Sequence, residues 1–193
     1  MAIYNNDIAN GDGVRVTLFV SGCSLHCDGC HNPEAQNFDA GQPLTKEVRE
    51  KMYNLIKRPL IKGLTITGGH PLEEQNLSAL ETLIKEYKQK FKRKNLWLYT
   101  GYTWEYIQEH PRLKNICNKC DYVVEGPYEW WNRDINLKFR GSSNQRIIDV
   151  QKTRETKSIV LYDESPKFPV KPPERAVSCY ANPPSKKKEK TNE

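Results

Sequence analysis

Residues 22 to 32 read "GCSLHCDGCHN", which places Cys23, Cys27 and Cys30 within eight positions and leaves no fourth cysteine beside them. Structural zinc takes four ligands, and disulfides take cysteines in pairs. A fully ligated 4Fe–4S cluster uses four thiolates, so three from the protein leave one iron open to a small molecule. The spacing C-x3-C-x2-C lets one short loop wrap three corners of such a cube, with His31 and Asn32 at the loop's exit. Two blander readings stay open on spacing alone. Zinc could take the three thiols with His26 or His31 as its fourth ligand. The cysteines could also be structural, although their clustering in one loop argues against it.

The elements around this loop must position it. "VRVTLFV" (14 to 20) mixes β-branched and aromatic residues, reads as a largely buried strand, and runs directly into the cysteines. "TKEVREKMYNLIKR" (45 to 58) carries Val48, Met52, Leu55 and Ile56 on one helical face, with Thr45 as N-cap. "GLTITGG" (63 to 69) predicts the next strand, and residues 73 to 91 the clearest helix, with Leu77, Leu80, Ile84, Tyr87 and Phe91 on one side. "NLWLYTG" (95 to 101) predicts a third strand, followed by a short helix over "TWEYIQEH" that must stop at Pro111. "DYVVEGP" (121 to 127) and "NQRIIDV" (144 to 150) predict a fourth and a fifth.

Strands alternating with helices imply βαβ units, a parallel sheet and an α/β fold. Such sheets place chemistry at the carboxyl ends of their strands. The cysteine loop, "TGGHP" and "YTGY" each follow a strand at that end, so three candidate segments converge on one edge. Gly68 and Gly69, lacking Cβ atoms, let backbone approach a ligand closely.

The 193 residues suit a single domain. The opening "MAIYNNDIANGDG" has no basic or apolar targeting region, and no apolar run is long enough to cross a bilayer. A soluble, cytoplasmic protein is expected, where clustered cysteines bind metal or do redox chemistry more often than they form disulfides. The net charge of +6 invites a nucleic-acid reading, but residues 151 to 193 carry +4 of it and residues 1 to 150 only +2. A nucleic-acid groove needs its basic residues on the folded body; no nucleic-acid partner and no membrane are expected. The domain is therefore set at 1 to 150. Residues 151 to 193, rich in Pro and Lys, form a tail expected to be mostly disordered, with "SIVLY" (158 to 162) as a candidate edge strand.

The triad after the first strand, with "TGGHP" after a later one, resembles the radical S-adenosylmethionine superfamily. "NGDGVRVTLFVSGCSLHCDGCHNPEAQNFDAGQP", "LWLYTGY", "YVVEGPY" and "RGSSNQRIIDV" together resemble the activating proteins of anaerobic ribonucleoside-triphosphate reductases, over roughly residues 4 to 150. That resemblance implies an incomplete (β/α) barrel, open along one side to admit a partner protein. It implies Cys23, Cys27 and Cys30 as ligands of a 4Fe–4S cluster, and Gly29, Cys30, His31, Gly68 and Gly69 as contacts of S-adenosylmethionine. The implied reaction is reductive cleavage of S-adenosylmethionine and generation of a glycyl radical on the large subunit of the reductase. A low-potential donor such as flavodoxin would supply the electron. The chain departs from the superfamily pattern at Gly29, where an aromatic residue is frequent, and at His70, where an acidic residue is common.

Further residues carry competing readings. Cys117 and Cys120 in "CNKC" are a metal or redox pair, or structural; Cys179 reads as a free thiol. Trp130 and Trp131 are expected in the core or as a lid, with a partner interface as the alternative. Arg140 either anchors the core through an ion pair or serves the cofactor or partner.

Overall fold

The computed structural model describes residues 2 to 165, of which the compact unit runs through Tyr162. It is a mixed α/β fold around one six-stranded sheet. The strands are β1 (Ala2–Asp7), β2 (Arg15–Val20), β3 (Gly63–Gly68), β4 (Asn95–Tyr99), β5 (Tyr122–Glu125) and β6 (Arg146–Asp149), and they lie in that order across the sheet. β2 to β5 are parallel, as the βαβ pattern requires. β1 and β6 are antiparallel to their neighbours, so the sheet is mixed rather than wholly parallel.

The helices are α1 (Lys46–Ile56), α2 (Glu74–Lys90), α3 (Trp104–Glu109), α4 (Pro111–Cys117) and α5 (Val150–Thr156). α1 starts where the sequence predicts, with Thr45 Oγ1 accepting from the Val48 amide at 3.3 Å. α3 stops before Pro111 as expected, and the proline, which at a first helical position needs no hydrogen bond of its own, begins α4.

Side chains alternate across the strands. Val16, Leu18, Leu64, Ile66, Leu96, Leu98, Val123 and Ile148 join the main core with α1, α2, α3 and α4 residues such as Tyr53, Ile56, Leu83, Tyr87, Ile107 and Ile116. The intervening positions carry Arg15, Thr17, Thr65 and Thr67, all buried, and Trp97, which packs with Val124, Ile147, Phe139 and Tyr162 in a second cluster. Both faces of the central strands are thus covered, one by helices and one by a polar and aromatic interior. Arg15 lies in that interior, donating to Thr65 Oγ1 at 2.7 Å, Asn95 Oδ1 at 2.7 Å and the Leu64 carbonyl at 2.8 Å, with its guanidinium 5.5 Å from the Trp97 ring.

The compact unit passes the boundary expected at residue 150. Asp149 caps α5 by accepting from the Lys152 amide at 3.1 Å. "SIVLY" then returns along β6, with the Tyr162 amide donating to the Ile147 carbonyl at 2.8 Å and the Tyr162 ring 5.3 Å from Trp97. It forms a single antiparallel bridge, Ile148 to Leu161, rather than a full strand. The aromatic cluster supplies the burial that the composition of the segment alone does not reveal. Cys179 and the expected tail from 166 onward lie outside the described residues. Among the described residues, no helix is long and apolar enough to cross a membrane.

Candidate functional site

β2 and β3 are paired in parallel up to Val20 and Gly68, so the chain leaving β2 passes directly over the end of β3. The Gly69 amide donates to the Val20 carbonyl at 2.8 Å, and the His70 amide to the Gly22 carbonyl at 2.7 Å. The far side of the loop is held by the Gly22 amide on the Ala35 carbonyl (2.8 Å) and the Cys23 amide on the Gln36 carbonyl (3.1 Å). Within the loop, Gly29 takes φ +66°, the left-handed conformation that turns the chain between Cys27 and Cys30.

Cys23, Cys27 and Cys30 are all partly exposed and line one cavity of about 350 Å³. His31, Gly68, Gly69, Thr100 and Gly101 line the same cavity. The three strand-end segments singled out in the sequence therefore do meet. Gly29 stands behind the wall, where a Cβ would come 3.2 Å from Trp130 Cβ. The glycine pair serves protein contacts as well as the cavity: the Gly69 amide is already engaged, and a Cβ there would fall 2.5 Å from the Ala35 carbonyl oxygen.

Sequence reasoning named Arg140 as a residue that could serve the cofactor, but it did not see the rest of a further part of the wall. Gly126 and Tyr128 follow β5, and Leu137, Phe139, Arg140, Gly141 and Gln145 close the side opposite the cysteines. "EGPY" was legible as a fourth strand end. The 137 to 145 segment was not, because a non-local clamp folds it back. Gln145 Oε1 accepts from the Gly141 amide at 2.9 Å while its Nε2 donates to the Gly126 carbonyl at 3.0 Å. Tyr99 adds a donor to the Phe139 carbonyl at 2.6 Å. Arg140 belongs to the cavity wall.

Three cysteine thiols on one short loop are a donor set of the kind a 4Fe–4S cluster takes. Among the described residues no three His, Cys, Asp or Glu side chains are grouped to hold one metal ion. Of the two histidines either of which could complete the zinc alternative, His26 has Nδ1 3.3 Å from Gln36 Oε1 and His31 has its ring 4.6 Å from that of Tyr128. A cube, by contrast, takes its cysteines at separate corners. The Asn32 amide donates to Cys30 Sγ from 3.4 Å. Burial pushes the free Cys23 thiol up from its ordinary value, with Glu73 adding in the same direction and a hydrogen bond from the Leu25 backbone opposing.

His70 does not face the cavity. Its ring is buried, 1 % exposed, against the edge of Tyr102 at 4.4 Å. Trp130 and Trp131, expected in the core or as a lid, are 58 % and 63 % exposed on a short turn that backs onto the cysteine loop from outside. Cys117 and Cys120 are core residues at the end of α4, with Cys120 Sγ directed at the Ile116 carbonyl at 3.7 Å. Burial pushes the Cys120 thiol up to about 12 and the Cys117 thiol well above its ordinary value, the reverse of what a metal or redox pair requires.

The model of a 4Fe–4S single cluster domain matches residues 9 to 148. The anaerobic ribonucleoside-triphosphate reductase-activating protein of Pasteurella multocida is 39 % identical over 146 residues, covering 75 % of this chain and 92 % of that protein. Its counterpart from Enterobacteria phage T4 is 39 % identical over 145 residues, 75 % of this chain and 90 % of the relative. That of Escherichia coli K12 is 34 % identical over 146 residues, 75 % and 94 %. A chain with this cysteine loop, matched over nearly the whole length of such relatives, belongs to the family of anaerobic ribonucleoside-triphosphate reductase-activating proteins.

Proposed function

We propose that this chain activates an anaerobic ribonucleoside-triphosphate reductase by generating a glycyl radical on its large subunit, using S-adenosylmethionine at a 4Fe–4S cluster held by Cys23, Cys27 and Cys30. The observation that carries the reading is the single cavity into which all three thiols and the glycine-bearing end of β3 open. Cys23, Cys27 and Cys30 would hold three of the four irons, and the fourth would be open to a small molecule. When bound, the reduced cluster would supply the one electron that breaks the sulfonium S–C5′ bond, releasing methionine and a 5′-deoxyadenosyl radical able to take a hydrogen atom from a glycine Cα.

The protein's part is to orient and to exclude water. Gly68 and Gly69 present bare backbone to the methionyl portion of the cofactor. His31, its ring tilted against that of Tyr128 at 4.6 Å, offers an aromatic wall, and Leu25, Leu137 and Phe139 add apolar patches to a lining that also holds polar residues such as Thr100, Arg140 and Gln145. Such walls keep a reactive species from solvent. We read the sheet, with four parallel strands in sequential order, helices on one face and a polar interior on the other, as the incomplete barrel of the radical S-adenosylmethionine domain. Residues 1 to 150, extended by the α5 segment, form that domain. The electron comes from a low-potential donor of the flavodoxin type.

Anaerobic reconstitution with iron and sulfide, then reduction with dithionite in the presence of S-adenosylmethionine, tests this reading. The protein should yield methionine and 5′-deoxyadenosine, and each of Cys23→Ala, Cys27→Ala and Cys30→Ala should yield none. Cleavage that persists in any of the three variants would remove the ligand assignment.

A further inference from the structure

Beneath the cysteine loop lies a buried polar network that the proposed chemistry does not use. Glu73, 8 % exposed, directs Oε1 to three donors. It accepts from the Ser24 amide and from Ser24 Oγ, both at 2.8 Å, and it lies 3.2 Å from His70 Nδ1. On the other side of the ring, His70 Nε2 lies 2.9 Å from Thr100 Oγ1. Because a carboxylate only accepts, Nδ1 carries the proton, and Nε2 is left to accept from the Thr100 hydroxyl. Every partner is then satisfied with a neutral imidazole. The chain Thr100, His70, Glu73, Ser24 ties together the segments that follow β4, β3 and β2.

We infer that Glu73 is a positioning residue that clamps the cysteine loop to the scaffold one residue beyond Cys23, with His70 and Thr100 holding the carboxylate in place. The inference rests on the reading of Cys23, Cys27 and Cys30 as cluster ligands. Two observations separate it from simpler roles. Glu73 occupies the N-cap position of α2, yet its side chain makes no capping hydrogen bond there and turns to the loop instead. Between Ser24 and Cys30 the loop has few backbone-to-backbone ties. Among the described residues, the backbone from Ser24 to Cys30 makes one backbone hydrogen bond, the local one from the Cys30 amide to the Cys27 carbonyl at 3.2 Å. The Ser24 amide thus ties the main chain of the loop to the scaffold between Cys23 and Cys27, and a carboxylate makes that tie a strong one. Lowering of the Glu73 carboxyl by its Ser24 and His70 partners, against the opposing effect of burial, keeps that acceptor ionised at neutral pH. Residues that hold ligands in place in this way govern how tightly a metal site is retained.

The test uses the full chain, reconstituted anaerobically and diluted into a ferrous chelator, with Glu73→Ala, Glu73→Gln and Ser24→Ala beside the unaltered protein. Glu73→Ala should release iron about tenfold faster, the usual scale for loss of a group supporting metal ligands. Glu73→Gln keeps an acceptor oxygen for the Ser24 amide and should restore most of the retention. Ser24→Ala, which removes one donor and leaves the carboxylate, should fall between. In the metal-free chain, hydrogen exchange at the Ser24 amide should speed up by about tenfold in Glu73→Ala while the β3 amides are unchanged, on the scale of one lost charge-assisted bond. If the unaltered protein holds no iron, the cluster reading fails, and Ser24 exchange still judges the clamp. If it holds iron but Glu73→Ala matches it in both iron release and Ser24 exchange, the clamp is refuted. Glu73→Gln behaving as badly as Glu73→Ala would equally contradict it. Should Glu73→Ala fail to fold, an unchanged iron-release rate in Ser24→Ala would overturn it.

Discussion

Gly69 and Gly22 approach so closely that a Cβ on Gly69 would lie 2.6 Å from the Gly22 carbonyl oxygen. The obstacle is backbone on both sides, since the Ala35 carbonyl oxygen is equally near, and neither can swing away as a side chain could. Gly69→Ala must therefore push the cysteine loop off the end of β3. A destabilisation of about 1–3 kcal/mol is expected from such overpacking, read as a lowered melting temperature, together with loss of bound iron after reconstitution. An alanine variant with unchanged melting temperature and iron content would show that the loop is not seated as described.

Arg146, on the edge strand β6, pairs with Glu125 and also donates to both carboxylate oxygens of Glu105 at 2.9 Å. Glu125 is almost fully buried and accepts from the Trp104 amide at 2.8 Å, so it depends on that guanidinium for compensation. Arg146→Ala should cost about 3–5 kcal/mol, the range for stranding one partner of a buried pair. Glu105→Ala, which removes only the exposed partner, should cost about 0–1 kcal/mol. Chemical denaturation of the two variants side by side checks the contrast.

Acid should loosen the molecule through His70. Burial holds its folded-state pKa below the ordinary value of 6.5, with Glu73 opposing only in part. The unfolded chain therefore binds a proton that the folded one resists, and stability falls as pH drops below about 6.5 toward the depressed folded value. Glu73, whose folded pKa is also lowered, adds a loss in the same direction at lower pH. Melting temperatures of the metal-free protein should decline from pH 7 to pH 5, and His70→Gln should flatten the upper part of that decline. An equal slope in both proteins would contradict the assignment.

Cys117 and Cys120 should be silent in metal chemistry. Cys117→Ala/Cys120→Ala should retain its iron and its cofactor cleavage while losing about 1 kcal/mol or more of stability per side chain from the vacated core. In the native metal-free protein at pH 8, a thiol-alkylating reagent should label Cys23, Cys27 and Cys30 and spare these two, because burial blocks both access and ionisation.

How far the sequence disclosed the molecule follows from which interactions are local. α1 was readable because Thr45 and the spacing of Met52, Leu55 and Ile56 are local signals. The central strands were readable from their short runs rich in β-branched and aromatic residues. β1 was not, since "AIYNND" is largely polar and exposed and owes its conformation to pairing with β2. The extent of the domain was misjudged because Tyr162 is anchored by Trp97 and Tyr122, which are distant in sequence. At the site, the triad and the glycine pair announced themselves by spacing. His70 and Glu73 did not, because an i,i+3 His–Glu pair gains its meaning only when the turn from β3 to α2 sets both beneath Ser24.

The central claim is that the radical chemistry ends on a glycine of the reductase, and electron paramagnetic resonance on the two proteins together tests it most directly. Hydrogen abstraction needs the reacting atoms within about 3–3.5 Å, so a glycine-bearing loop must enter the cavity of Cys23, Cys27 and Cys30. The reduced, reconstituted chain with S-adenosylmethionine and its cognate anaerobic reductase should give a glycyl-type doublet. The doublet should disappear when the target glycine of the reductase is replaced by alanine. Absence of the doublet with the authentic reductase under strict anaerobiosis, while 5′-deoxyadenosine accumulates with a small-molecule substrate, would contradict the account.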